Sequence, residues 1–258
     1  MLVMYKTEKH TAFITLNSPH TGNTVNRENL GLITHYIQMA IHDDDIRAIV
    51  LKGKDGVFCR GMDFHLVFNE PETDTFTTPY METILAIRNA IKPVICVIDG
   101  EVLAGGIGLV CASDIVLCTE TSHFGLSEVY FGLIPAYVFP LLLERIPFKK
   151  ARYMAISARK IDAGEAHTIG LVDEVVPGDS LMKKVSEYLQ RILFSSPDAI
   201  SLVKRYSDTL CERELPKAME KARTQLEALL QNKQNLKAIR AFQNGEKLPW
   251  SINYRKSR

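Results

Sequence analysis

Leu103-Ala104-Gly105-Gly106-Ile107-Gly108-Leu109 follows an apolar run, Val94-Ile95-Cys96-Val97-Ile98, and a turn at Asp99-Gly100. An apolar strand, a small-residue turn and a glycine-rich helix start let backbone N–H groups approach a ligand closely. Glycine has no Cβ to block that approach. The first N–H groups of a helix lack an internal partner, and the helix dipole favours negative charge there. The segment therefore suits a phosphate, a carboxylate or a transient oxyanion. Neither G-x-G-x-x-G nor G-x-x-x-x-G-K-[ST] is present, so it is not a dinucleotide fingerprint or a P-loop.

Strands and helices alternate on both sides of this stretch. Val3 to Lys6 and Thr11 to Leu16 read as two strands turning at Glu8-Lys9-His10. Asn26 suits the N-cap of a helix with Leu30, Ile33, Ile37 and Ile41 on one face, ended by His42-Asp43-Asp44-Asp45. Ala48 to Leu51 is a short buried strand. A helix is expected from about Pro79 to Ile91, stopped by Pro93. Ile115 to Cys118 reads as another strand. This alternation predicts an α/β fold with parallel strands. From about residue 137 the pattern is helical, with stretches at 137–145, 149–157, 163–169, 180–194, 198–211, 214–231 and 233–243. The expected division is a core over 1–197 and a helical region over 198–258. The polar stretch 69–78 lacks an apolar period and reads as a mobile loop beside the site.

Composition narrows the function classes. The chain has 258 residues, 46% of them hydrophobic, and a formal net charge of +1. That balance gives no electrostatic case for nucleic acid or an anionic membrane. No apolar run approaches the roughly 20 residues of a membrane span. The five cysteines, Cys59, Cys96, Cys111, Cys118 and Cys211, form no C-x-x-C pair. Cys96, Cys111 and Cys118 sit in apolar runs as small buried hydrophobes, which suits a reducing, cytoplasmic compartment. The histidines show no metal-ligand spacing, so no metal is expected.

Two further segments carry chemistry. Val57-Phe58-Cys59-Arg60-Gly61-Met62-Asp63-Phe64 follows the strand at 48–51 and again sets a small residue before a position with a candidate free N–H. His123-Phe124-Gly125-Leu126-Ser127-Glu128 then leads to Gly132-Leu133-Ile134-Pro135-Ala136, which places Glu128 among apolar and small residues.

With Ile14-Thr15-Leu16-Asn17-Ser18-Pro19, Ala112-Ser113-Asp114-Ile115-Val116 and Ala163-Gly164-Glu165-Ala166, these segments resemble the crotonase (enoyl-CoA hydratase/isomerase) superfamily. The resemblance covers essentially the whole chain. It implies ββα repeats forming a spiral core, with a C-terminal helical region that mediates oligomerisation. It further implies an oxyanion hole built from the N–H groups of Met62 and Gly105, holding a thioester oxygen as it gains enolate charge. Glu128 matches one of the two glutamates used by hydratases of the family. The second would stand at position 108, where this chain has Gly108.

A finer resemblance runs from Ser127 to Val138, through Lys150-Ala151-Arg152-Tyr153-Met154, to Phe242-Gln243-Asn244-Gly245. It is to the dehydratases of bacterial polyketide β-branching cassettes. The implied reaction removes water from a 3-hydroxy-3-methylglutaryl group on an acyl carrier protein, giving the 3-methylglutaconyl thioester. No cofactor is implied beyond the phosphopantetheine, or CoA, that carries the acyl group. Glu128 would take the α-proton. His65, Tyr80 and Tyr137 are candidates for a second acid/base group. Arg60 and Arg88 are candidates for the distal carboxylate, and Gly106 and Gly108 for the substrate-binding wall. Asp63 and Asp114 are expected to cap backbone. Lys149, Lys150, Arg152 and Arg255-Lys256-Arg258 would offer a basic rim to an acidic carrier. Leu226, Leu229, Leu230 and Leu236 are expected to face a neighbour in a homotrimer or hexamer. Two other readings stand beside this one: a different crotonase reaction on an acyl-CoA (hydration, isomerisation or decarboxylation), and a silent homologue that only binds carrier protein.

Overall fold

The computed structural model describes residues 1–64, 68, 74–210 and 215–251. His65, Cys211, Arg255, Lys256, Arg258 and the 69–73 part of the expected loop lie outside them. Within them, strands β1 (Val3–Glu8), β2 (Thr11–Leu16), β3 (Ala48–Gly53), β5 (Val94–Ile98), β7 (Ile115–Thr119) and β10 (Glu174–Val176) form one six-stranded sheet in the order β1-β2-β3-β5-β7-β10. β1 and β2 pair antiparallel, with Val3 opposite Leu16, and the other pairings are parallel. β5 is buried along its whole length, as a parallel strand covered on both faces must be.

A second sheet, β4 (Val57–Cys59), β6 (Glu101–Leu103), β8 (His123–Gly125) and β9 (Ile161–Asp162), is built of two- and three-residue strands. They are too short to register as period-two alternation, so the sequence shows none of them. This sheet matters most for the site, because each of β4, β6 and β8 runs directly into one of the three segments singled out above.

The helices are α1 (Arg27–His42), α2 (Asp74–Arg88), α3 (Gly105–Ala112), α4 (Val138–Arg145), α5 (Phe148–Ser157), α6 (Ala163–Thr168), α7 (Leu181–Phe194), α8 (Pro197–Leu210), α9 (Leu215–Leu230) and α10 (Lys233–Gln243). Asn26 caps α1 as expected. Its side chain accepts from the Asn29 N–H while the Asn29 side chain accepts from the Asn26 N–H, a reciprocal box of about 1 kcal/mol.

α2 begins five residues before the expected Pro79 and ends at Arg88 rather than Ile91. Residues 74–78, read as loop, are therefore helix. Their threonines hide it. Thr77 and Thr83 are fully buried, and the Thr83 hydroxyl lies within hydrogen-bonding distance of the Pro79 and Leu30 carbonyls and of the Thr34 hydroxyl. Polar residues that satisfy themselves inside a helix interface leave no apolar period to read.

The C-terminal leucines also differ from expectation. Leu226 and Leu230 are buried in this chain's own core, and Leu229 packs against it. α8 instead leaves a row of apolar side chains exposed, Leu202, Val203, Tyr206 and Leu210. The opposite side of α8 is pinned by ion pairs, Lys204 to Asp114 at 2.5 Å and Asp208 to Arg88 at 2.5 Å. Cys59, Cys96, Cys111 and Cys118 are free and buried, and burial pushes the Cys59 thiol up to about 12. No helix among the described residues is long and apolar enough to cross a membrane.

Candidate active site

A cavity of about 660 Å³ opens between the two sheets' connecting loops and the C-terminal helices. It is lined by Met62, Gly105 and Glu128 together, and by Arg60, Asp63, Tyr80 and Tyr137. Its size and apolar lining suit an acyl group.

The first wall comes from the segment after β4. Val25 and Met62 form an isolated parallel bridge in which the Val25 N–H donates to the Gly61 carbonyl and the Asp63 N–H donates to the Val25 carbonyl. In a parallel bridge the central residue's own N–H points the other way. Among the described residues no acceptor takes the Met62 N–H.

The second wall is the start of α3. Ala104, its N-cap residue, makes no side-chain cap, and among the described residues no acceptor takes the Gly105 N–H. The two walls touch. Gly61 has φ +89°, and a Cβ built on it would lie 2.7 Å from the Ala104 Cβ and 3.3 Å from the Gly105 nitrogen. Two unpaired N–H groups on adjoining segments of one apolar cavity are suited to a negative oxygen.

Ala104 itself sits at φ 48°, ψ −122°, a region that L-residues avoid. Such strain costs of order 1–3 kcal/mol and is held where surrounding structure over-determines the backbone. Replacing Ala104 by glycine should raise Tm by about 2–4 °C, for about 1 kcal/mol of relief net of unfolded-state entropy. A lower Tm on thermal denaturation would contradict the strain.

The third wall carries Glu128, at the head of a 3₁₀ turn, Glu128–Phe131, closed by Gly132 at φ +71°. The loop is held from behind by Asn235 of α10. The Asn235 side chain donates to the Gly132 and Leu229 carbonyls, at 3.0 Å each. A Cβ on Gly132 would fall 2.1 Å from the Asn235 Oδ1. Glu128 Oε2 is shut off from solvent and has no hydrogen-bond partner among the described residues. Burial pushes its carboxyl up to about 7, and the backbone amides of Ser127 and Glu128 pull the other way without offsetting that.

The remaining candidates divide. Tyr80 and Tyr137 line the cavity with ring centroids 5.8 Å apart, and burial raises both phenols. Asp63 lines it too, partly exposed and already engaged. Arg60 reaches the cavity, but its Nε is 2.6 Å from Glu101 Oε2, and Glu101 also pairs with Lys160. Arg88 lies in a different recess, paired with Glu144 at 3.1 Å as well as Asp208. Gly106 and Gly108 do not line the cavity. Gly106 is covered by Cys59 and Gly108 by Tyr80, so both serve packing. The Asp114 carboxylate accepts from the Val94 N–H at 2.7 Å, the capping role expected of it.

The sequence reading missed the far wall altogether. Leu226, Phe242 and Gln243 close the cavity from α9 and α10, and Phe242 joins an aromatic cluster with Phe64 and Phe131 at centroid distances of 6.1 and 5.0 Å. These helical positions lie more than 90 residues from Glu128, and no local pattern marks them.

Comparison with known proteins agrees with this architecture. Residues 6–253 match the enoyl-CoA hydratase/isomerase family model. The chain is 30% identical to the bacillaene synthase dehydratase PksH of Bacillus subtilis, over 96% of this chain and 98% of that one. It is also 30% identical to the enoyl-CoA hydratase EchA19 of Mycobacterium tuberculosis, over 76% of each. A crystal structure of the Bacillus subtilis polyketide biosynthesis enoyl-CoA hydratase PksH superposes with a TM-score of 0.88, at 26% identity, covering 96% of this chain and 99% of that one. The chain belongs to the enoyl-CoA hydratase/isomerase family.

Proposed function

We infer that the protein is a dehydratase of 3-hydroxyacyl thioesters, and that its substrate is a 3-hydroxy-3-methylglutaryl group carried on an acyl carrier protein in polyketide β-branching. The observation that carries this reading is Glu128. It is a buried carboxylate that burial pushes up to about 7, the range a general base needs near neutral pH, in the cavity that holds the two unpaired N–H groups, while position 108 offers no second carboxylate. Near-complete coverage of the bacillaene synthase dehydratase PksH supports it.

In the reading, the thioester oxygen sits between the N–H groups of Met62 and Gly105. Glu128 takes the proton from Cα, and the charge moves onto the oxygen. Each donor aimed at that charge is worth roughly 3–4 kcal/mol of barrier. The enolate then expels the β-hydroxyl, which leaves as water with the proton from Glu128. No metal or redox partner enters this scheme. Exposed Lys149, Lys150 and Arg152 on α5 support docking of an acidic carrier. The exposed apolar side chains of α8 support contact with further copies of the chain, as a trimer or a pair of trimers.

The test is incubation with 3-hydroxy-3-methylglutaryl carrier protein, read by intact mass. Loss of water alone is expected. Loss of carbon dioxide would make the protein a decarboxylase, and equal or faster turnover of the CoA thioester would favour an acyl-CoA enzyme. No turnover of any acyl thioester, with carrier binding kept, would identify a silent homologue.

A further inference from the structure

Gly105 and Gly108 stand three residues apart on one face of α3, and the ring of Tyr80 covers both. A Cβ on Gly105 would lie 3.4 Å from Tyr80 Cε2, an ordinary contact. A Cβ on Gly108 would lie 2.1 Å from the Tyr80 hydroxyl oxygen, far inside the roughly 3.5 Å that two such atoms need. The phenol therefore occupies the space into which any side chain at 108 would project. Tyr80 reaches this position from α2, is 2% exposed and lines the cavity beside Gly105 and Glu128. Its hydroxyl donates to the Gly105 carbonyl at 2.6 Å. With its proton donated there, the oxygen can meet a substrate hydroxyl only as acceptor.

We propose that Tyr80 positions the leaving group: the β-hydroxyl of the substrate donates to the Tyr80 oxygen, which the missing side chain at 108 lets pack against α3 at the cavity wall, and turns a lone pair toward Glu128. This rests on the dehydration reading above. The step balances without another reactant. The Cα–H bond breaks and its proton passes to the Glu128 carboxylate. The enolate electrons then form the Cα=Cβ bond, and the Cβ–O bond breaks. The departing oxygen keeps its own hydrogen and takes the proton from Glu128, leaving as water. Tyr80 keeps its proton throughout, and Glu128 returns to the carboxylate. The glycine at 108 is thus half of a matched pair rather than a vacancy.

The experiment compares wild type, Tyr80→Phe, Gly108→Ala and the double variant in two assays. One is dehydration of the 3-hydroxy-3-methylglutaryl carrier protein. The other is α-proton exchange, in deuterated water, of the 3-methylglutaryl carrier protein, which has no β-hydroxyl. Tyr80→Phe should lower kcat for dehydration about 10- to 100-fold, the size of one buried hydrogen bond, with KM nearly unchanged. Its exchange rate should stay within about threefold of wild type. Gly108→Ala should match that loss alone but add less than about threefold to Tyr80→Phe, because the severe clash, at 2.1 Å, falls on the deleted hydroxyl and leaves only the ring Cζ at 3.2 Å to give by a few tenths of an ångström. A parallel fall of dehydration and exchange in Tyr80→Phe would overturn the proposal and make Tyr80 a support for the Gly105 turn. Independent, multiplying losses in the double variant would also overturn it. Wild type that exchanges the α-proton but eliminates no water would instead refute the dehydration reading, and the role of Tyr80 with it.

Discussion

Glu128→Gln should lower kcat/KM for dehydration by about 10²- to 10⁴-fold, the range for a lost general acid/base. It should also make the fold more stable at pH 8. The second effect follows from the first group's burial. The carboxyl titrates at about 7 in the folded chain against an ordinary value of 4.5. Between those values the folded state holds a proton that the unfolded state has released. Stability therefore falls as pH rises through that window, and above about pH 7 the folded state carries the full cost of the buried charge. A shift of that size is worth about 3 kcal/mol, an upper bound on what glutamine can restore, since its amide is buried as well. The gain in Tm should be present at pH 8 and vanish near pH 4.5. For wild type the same titration sets the acid limb of the rate. Activity needs the carboxylate, so kcat/KM should fall about tenfold per pH unit below about pH 7. Thermal melts of both proteins at pH 4.5 and pH 8, with a pH–rate profile, check all three. A variant that dehydrates within tenfold of wild type, or that melts lower at pH 8, would remove Glu128 from this role.

Gly61→Ala should lower kcat about 10²- to 10³-fold, as loss of one oxyanion donor does. Two effects combine there. The left-handed φ of +89° costs a residue with a Cβ about 1 kcal/mol. The new methyl would also meet the Ala104 Cβ at 2.7 Å and the Gly105 nitrogen at 3.3 Å, between the Met62 segment and the Gly105 segment. The walls must part, and the two N–H groups with them. Gly56→Ala is the control. Gly56 has a comparable φ of +73° but open space around its Cβ, and it does not line the cavity. It should cost about 1 kcal/mol of stability and leave kcat within twofold. Both variants are assayed well below their Tm. Equal kcat losses in the two would mean that general destabilisation, not the separation of the donors, sets the rate.

The parts of the site legible in the sequence were those in which a backbone requirement restricts residue type. Gly61 and Gly132 stand where a left-handed turn and a close approach demand glycine, and Glu128 shows as a charge in an apolar run. β1, β2, β3, β5 and β7 were legible because each buries a run of β-formers long enough to show. What stayed hidden had no such local mark. The strands of the second sheet are too short for a period, and the threonines of α2 satisfy themselves within the packing. Leu226 and Phe242 reach the cavity, and Asn235 the back of the Glu128 loop, across more than 90 residues of chain.

The sequence by itself determined the α/β core, the family, the two N–H-bearing segments and the absence of a carboxylate at 108, because each depends on residue identity at a local backbone position. Tertiary structure alone decided the electrostatics and the occupancy of space. It buried Glu128 far enough to titrate near neutrality, paired Arg60 with Glu101 at the cavity's edge, and set the Tyr80 hydroxyl over Gly108. Those outcomes depend on which distant side chains come within a few ångströms, and long-range packing fixes that.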